Sequence, residues 1–253
     1  MKKTLILKIG SSTLTAGSNR ISRGKIEDIA RQIVVFRQDF NVAIVSSGAI
    51  ATAKHFIAVN KWKKSESKQA LAAIGQPILM QIYNEIFRDF GLPIAQCLVT
   101  YRDFDNKEAQ DNILNTLNDL FENDFIPIIN ENDTIAIDEL VFGDNDKLSA
   151  YVANLLKADL LMLASDIDGL FNKNPQKYAD AQLIPEINDI SICDQYIDEN
   201  TNNGLGTGGM TSKIQAAEIC SRAKTQIWIV NGGRNNFILD SINKKTAHTR
   251  FIF

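Results

Sequence analysis

Short apolar runs alternate with longer amphipathic stretches along most of this chain, and that alternation restricts the fold more than any other feature. Thr4–Ile9 (TLILKI) runs apolar up to Gly10, the pattern of a strand buried on both faces. Ser22–Gln38 follows with Ile26, Ile29, Ala30, Ile33, Val34 and Phe36 at helical spacing, and Ser22 stands at the N-cap position. The pairing then repeats. Asn41–Ser46 reads as a strand closed by Ser47-Gly48, and Ala49–Val59 and Lys68–Phe90 read as helices around the polar link KWKKSES. Leu92–Thr100 predicts a strand, Asn106–Asn123 a helix, Phe125–Asn130 a strand and Thr134–Phe142 a hairpin. A helix from Asn145 or Asp146 to Lys157 and a strand over Asp159–Ala164 come next. An irregular span, Ser165–Asn203, leads to a glycine-rich loop and a helix over Lys213–Ala223. The strand Thr225–Val230, a short helix at Asn236–Ser241 and a strand at Thr249–Phe253 end the series. Strand and helix alternating along most of the chain predict an α/β fold: a three-layer α/β/α sandwich on a mainly parallel sheet. No composition break divides it, so one domain over residues 1–253 is expected.

Composition removes several classes of function. At 45% hydrophobic residues over 253 positions, the chain can fill a sizeable core. No apolar run approaches the ~18 residues that span a bilayer, and the N-terminus lacks a signal-peptide pattern. A cytoplasmic protein with no membrane partner is expected. The net charge of −3, with no basic cluster beyond Lys61, Lys63 and Lys64, argues against nucleic acid. Cys97, Cys193 and Cys220 are far apart and form no CxxC, which excludes a disulfide framework or a zinc ribbon. With His55 and His248 the only histidines, neither beside a ligand cluster, no protein metal site and no histidine base is expected.

What remains gathers at strand ends, where sheets of this kind bind ligands. Lys8 interrupts the first strand, and a buried ammonium must meet an anion, either an internal carboxylate or a ligand. Ser47-Gly48 opens a helix N-terminus suited to a carboxylate or phosphate. Gly204–Lys213 (GLGTGGMTSK) combines four glycines, three hydroxyls and a lysine just before a helix, the composition of backbone that touches phosphate. Taken alone, it reads equally as a flexible connection, and it lacks the order of a Walker A loop. Gly143–Lys147 (GDNDK) supplies acids at a helix start. They fit a cap, with Asp144 in that part. They also fit a bridge in which Asp146 holds Lys8 and Lys213 toward one point, leaving Asn145 to donate to a substrate carboxylate.

These motifs, taken together, resemble the glutamate 5-kinase family of the amino acid kinase superfamily. The resemblance rests on KIGSSTLT at Lys8–Thr15, VSSGAIA at Val45–Ala51, SKQALAAIGQ at Ser67–Gln76 and INENDT at Ile129–Thr134. FGDNDKLSA at Phe142–Ala150, ASDIDGLF at Ala164–Phe171 and the glycine stretch complete it, so it covers essentially the whole chain. It implies phosphoryl transfer from ATP, with Mg²⁺, to the side-chain carboxylate of L-glutamate, the first step of proline biosynthesis. By the resemblance Lys8, Lys213 and Asp146 are catalytic, and Ser47, Asp133 and Asn145 bind glutamate, Asp133 through its α-ammonium. Lys8, Ser165, Asp166, Thr207, Gly208, Gly209, Met210, Thr211, Ser212 and Lys213 match nucleotide-binding positions. The family also implies a homo-oligomer, dimer or tetramer, and feedback inhibition by proline; the C-terminal PUA domain of many bacterial relatives is not expected here. Thr211-Ser212-Lys213 departs from the family's usual ending in the smaller hydroxyl beside the lysine. Two other readings stand beside this one: a non-catalytic sensor of nucleotide or amino acid, and another carboxylate kinase acting on an acylated substrate such as N-acetylglutamate.

Overall fold

A computed structural model describes residues 2–56, 67–136, 145–196 and 209–253. Lys61–Glu66 of the polar link, most of the expected hairpin, Asp144, and Thr207 and Gly208 of the glycine stretch lie outside the described residues.

Among the described residues eight strands form one sheet, in the order β3-β4-β2-β1-β5-β7-β8-β6. The strands are β1 (Lys3–Ile9), β2 (Phe40–Ser46), β3 (Ile94–Val99), β4 (Ile126–Glu131), β5 (Leu160–Ser165), β6 (Glu186–Ile187), β7 (Gln226–Asn231) and β8 (Thr249–Phe251). Neighbours from β3 across to β7 run parallel, and only β8 turns antiparallel against β7. The central position of β1 between β2 and β5 follows from its composition: Leu5, Ile6, Leu7 and Ile9 are fully buried, and a strand apolar on both sides needs helices above and below.

Side chains alternate across β1, and the two faces take different helices. Leu5, Leu7 and Ile9 pack with α2 (Arg23–Phe36), α4 (Ser67–Asp89) and α8 (Phe237–Ile242). Ile6, and by alternation Lys8, face α6 (Asn145–Leu155) and α7 (Met210–Ser221). The result is the expected three-layer sandwich. It also fixes the direction of Lys8, which cannot point anywhere but between α6 and α7.

Local chemistry sets the helix starts. Ser22 Oγ accepts from the Lys25 amide at 3.2 Å and caps α2, and Asn106 Oδ1 accepts from the Ala109 amide at 3.1 Å to cap α5 (Lys107–Glu122). Three features depart from the sequence reading. A short helix, α1 (Ser11–Thr15), follows β1 directly, ended by Ala16 in the left-handed region. The span read as irregular contains β6 and a 3₁₀ turn over Ile190–Tyr196; a two-residue strand has no periodicity to read, and it exists because β8 pairs with it. The last large helix, α7, begins at Met210, three residues before the expected Lys213, so Lys213 sits within its first turn.

Gly75 controls how α4 crosses α3 (Ala49–Phe56). A Cβ there would come within 1.8 Å of the Ala49 carbonyl oxygen and 2.8 Å of the Ala53 amide nitrogen, so only glycine permits the approach.

Candidate active site

Since β1, β2, β4, β5 and β7 are parallel, their C-terminal ends lie along one edge of the sheet, and the polar residues of the chain collect there. Lys8 aligns with Val45 on one side and Leu163 on the other, which sets its side chain near the end of the central strand. Its ammonium reaches toward Gly10 and forms an ion pair with Asp146 Oδ1. Lys213 Nζ pairs with the other carboxylate oxygen of Asp146 at 3.0 Å. Three residues from distant parts of the chain thus share one point. The Ser212 hydroxyl, 2.9 Å from Asp146 Oδ2 and 2.9 Å from the Gly209 carbonyl, ties the first turn of α7 to the same carboxylate.

This triad is buried: Asp146 is 0% exposed, Lys213 4% and Lys8 6%. Burial alone would raise the Asp146 carboxyl, but the Lys213 and Lys8 ammonium groups outweigh it and hold the carboxyl well below the usual carboxylate range. Asp146 therefore stays ionised at any working pH. Two ammonium groups against one carboxylate leave the triad itself with one surplus positive charge.

Beside it runs a chain of neutral amides. Asn145 Nδ2 donates toward the Ser46 carbonyl and the Ser47 hydroxyl, both at 3.1 Å, and toward Asn130 Oδ1 at 2.8 Å. Asn130 Nδ2 in turn donates to Gln76 Oε1 at 2.9 Å. Ser47 is also held by its backbone, whose amide donates to the Ile9 carbonyl at 3.0 Å. Below the turn, Tyr83 of α4 has its hydroxyl 3.0 Å from Ser46 Oγ, and Gly48 takes φ +106°, a conformation that L side chains rarely adopt. Asp133, two residues past β4, is half-buried, and burial pushes its carboxyl up to about 6.

Of the expected site residues, Lys8, Asp146 and Lys213 meet, and Ser47 and Asn145 touch each other. Ser165 is buried at the end of β5 with its hydroxyl 3.2 Å from Asp166 Oδ1, while Asp166 is exposed. Gly209, Met210, Thr211 and Ser212 form the cap and first turn of α7, whose leading backbone N–H groups are the unpaired ones of any helix start. The sequence reading missed Gln76 and Asn130 as members of the site. Both stood in quoted motifs, Gln76 with Pro77 after it inside a helical pattern, but nothing in the sequence placed them against Asn145.

Among the described residues no group of three or more carboxylate, histidine or cysteine side chains could hold a metal ion, and no helix is long and apolar enough to cross a membrane.

Comparison with known proteins identifies the family and the fold. Residues 3–231 match the amino acid kinase family. A glutamate 5-kinase of Helicobacter hepaticus is 39% identical over 254 residues, covering 99% of this chain and 95% of that protein. One from Clostridium acetobutylicum is 41% identical over 250 residues, covering 98% and 94%. Among solved structures, UMP kinase from Ureaplasma parvum superposes with a TM-score of 0.69 at 17% identity, covering 100% of both chains. Carbamate kinase from Giardia lamblia bound to AMP-PNP gives 0.68 at 14% identity, covering 99% and 98%. Those two share the fold, while the sequence matches carry the narrower assignment: this chain belongs to the amino acid kinase family and, within it, to the glutamate 5-kinases.

Proposed function

We propose that this chain transfers the γ-phosphoryl group of ATP to the side-chain carboxylate of L-glutamate, forming L-glutamyl 5-phosphate, the first step of proline biosynthesis. The observation that carries the reading is the meeting of Lys8 and Lys213 on Asp146 at the C-terminal edge of the sheet. An acceptor carboxylate is already ionised near neutrality, so the reaction asks for no general base. What it asks for is alignment of two anions that repel, and neutralisation of the charge that spreads over the phosphoryl oxygens. Lys8 and Lys213 do this, with Asp146 keeping both ammonium groups aimed before substrate arrives, so little reorganisation is left for the reaction itself. Ser212 fixes the position of Asp146 from the α7 side.

The nucleotide phosphates lie against the first turn of α7, where Gly209, Met210, Thr211 and Ser212 offer backbone donors and the helix dipole favours anions. Thr207 and Gly208 bind the nucleotide as well, and Ser165 and Asp166 bind it from the end of β5. A Mg²⁺ ion accompanying the nucleotide would supply charge neutralisation there. Glutamate occupies the adjoining side: Ser47 and Asn145 hold carboxylate, and Asp133 pairs with the α-ammonium. The reading places the enzyme in the cytoplasm as a dimer or tetramer, with proline as a feedback inhibitor acting at or near the glutamate pocket.

An ADP-release assay comparing L-glutamate with N-acetylglutamate tests it. Magnesium-dependent turnover of glutamate alone is expected, because an acylated nitrogen has no charge for Asp133 to meet. Turnover of N-acetylglutamate without glutamate would assign the site to a different carboxylate kinase, and nucleotide binding without turnover of either would assign it to a sensor.

A further inference from the structure

We infer that Gln76 is a substrate-binding residue whose side-chain NH₂ donates to a carboxylate of the phosphoryl acceptor; this rests on the acceptor being a carboxylate bound beside Ser47 and Asn145. The inference comes from the polarity of the amide chain, which backbone groups fix from both ends. A carbonyl can only accept, so the Asn145 atom 3.1 Å from the Ser46 carbonyl is the amide nitrogen. That nitrogen faces Asn130 Oδ1 at 2.8 Å. The same Asn130 atom lies 2.9 Å from the Glu131 amide, which can only donate, so it is the oxygen. The other branch of Asn130 is then nitrogen, and the Gln76 atom it meets at 2.9 Å must be oxygen.

Each amide is thereby oriented, and the orientation leaves Gln76 with Nε2 turned the other way. That nitrogen has no protein partner among the described residues, yet it is not sealed away from solvent. A side chain 8% exposed, held by one end in a buried network, has little freedom to turn its donor elsewhere. The backbone is equally constrained, since Gly75 lies against α3 so closely that a Cβ would strike the Ala49 carbonyl. Gln76 thus adds a fixed, uncharged donor to the wall formed by Asn145 and Ser47. Such a donor favours a carboxylate over a neutral amide or alcohol, because hydrogen bonds to an ionised acceptor are the stronger kind.

Steady-state kinetics of the full chain and its Gln76→Met and Gln76→Glu variants test this, with a melting curve for each. Gln76→Met keeps the length of the side chain but removes both the donor and the oxygen that accepts from Asn130, and it is expected to raise the KM for L-glutamate roughly 10–100-fold, the range for a lost hydrogen bond to a charged group. The KM for ATP stays within about twofold. Gln76→Glu keeps an oxygen for Asn130 but sets a second carboxylate against the substrate's, and raises the glutamate KM further. A glutamate KM within about twofold of wild type in Gln76→Met overturns the inference, as does an equal rise in the KM values of both substrates, which marks a structural role. If Gln76→Glu fails to fold, the neutral variant decides. If the wild-type chain turns over no glutamate, the proposed activity fails separately; calorimetric titration of L-glutamate into wild type and Gln76→Met then decides, equal affinity or no binding overturning the inference.

Discussion

The two halves of the site are built from opposite materials. On the proposed nucleotide side, full charges are buried against one another: Lys8, Asp146 and Lys213, all under 7% exposed. On the proposed acceptor side, Ser47, Asn145, Asn130 and Gln76 form a chain in which no member is charged. Charge-assisted contacts in a dry site are strong, and removing one member leaves its partners uncompensated. A neutral amide chain is weaker per contact but directional, since each oxygen and nitrogen has only one workable orientation. The difference suggests a division of labour: the charged half stabilises what develops during transfer, and the neutral half decides which carboxylate is held and how it points.

Substitutions can break this contrast. Asp146→Ala is expected to have the largest effect, because it strands two buried ammonium groups. Loss of one partner of a buried pair costs about 3–5 kcal/mol, so both thermal stability and turnover should collapse. A melting temperature unchanged by Asp146→Ala would show that the lysines are not held by this carboxylate. Lys213→Ala comes next, with kcat down at least roughly 100-fold, the scale for losing one electrostatic donor to the transition state. Near-normal turnover would remove Lys213 from the chemistry. Asp133→Asn should act on the KM for glutamate and leave that for ATP in place, since it removes only the proposed partner of the α-ammonium.

Acidity sharpens the same point. Burial pushes the Asp133 carboxyl up to about 6, and an ammonium bound against it would favour its ionised form, so under the proposed function protons and substrate compete for it. The glutamate KM should climb as pH falls through about 6, where one unit lower leaves only about a tenth of Asp133 ionised. Loss of this pH dependence in Asp133→Asn confirms the assignment; an unchanged profile assigns the titration elsewhere. The smallest effect is expected at Tyr83→Phe, which removes one neutral hydrogen bond beneath the Ser46-Ser47 turn. About 1 kcal/mol of stability and a change of a few-fold in glutamate KM follow, with no change in ATP KM.

Much of this was legible beforehand. Periodicity located the strands and helices that carry the sheet, since β1 is apolar from Leu5 to Ile9 apart from Lys8, and α2 shows both its face and its Ser22 cap. Lys8 announced a buried anion simply by interrupting β1. Elements held only by partners escaped: β6 depends on β8, and α1 is a single helical turn with no amphipathic pattern. The start of α7 was read three residues late because glycine and small hydroxyl residues carry no apolar period.

The sequence by itself determined the layered α/β architecture, the need to pair Lys8, and the family, because these follow from side-chain hydrophobicity and from residue order. Only the tertiary structure decided that Asp146, the acid the sequence had named, bridges Lys8 and Lys213, and that Gln76 joins Asn130, 54 residues away, in one network. Hydrogen bonds of that kind tolerate a variation of only a few tenths of an ångström in the distances between elements far apart in the chain. Those distances are set by how closely helices and strands pack, as Gly75 against Ala49 shows, and no local pattern of residues encodes them.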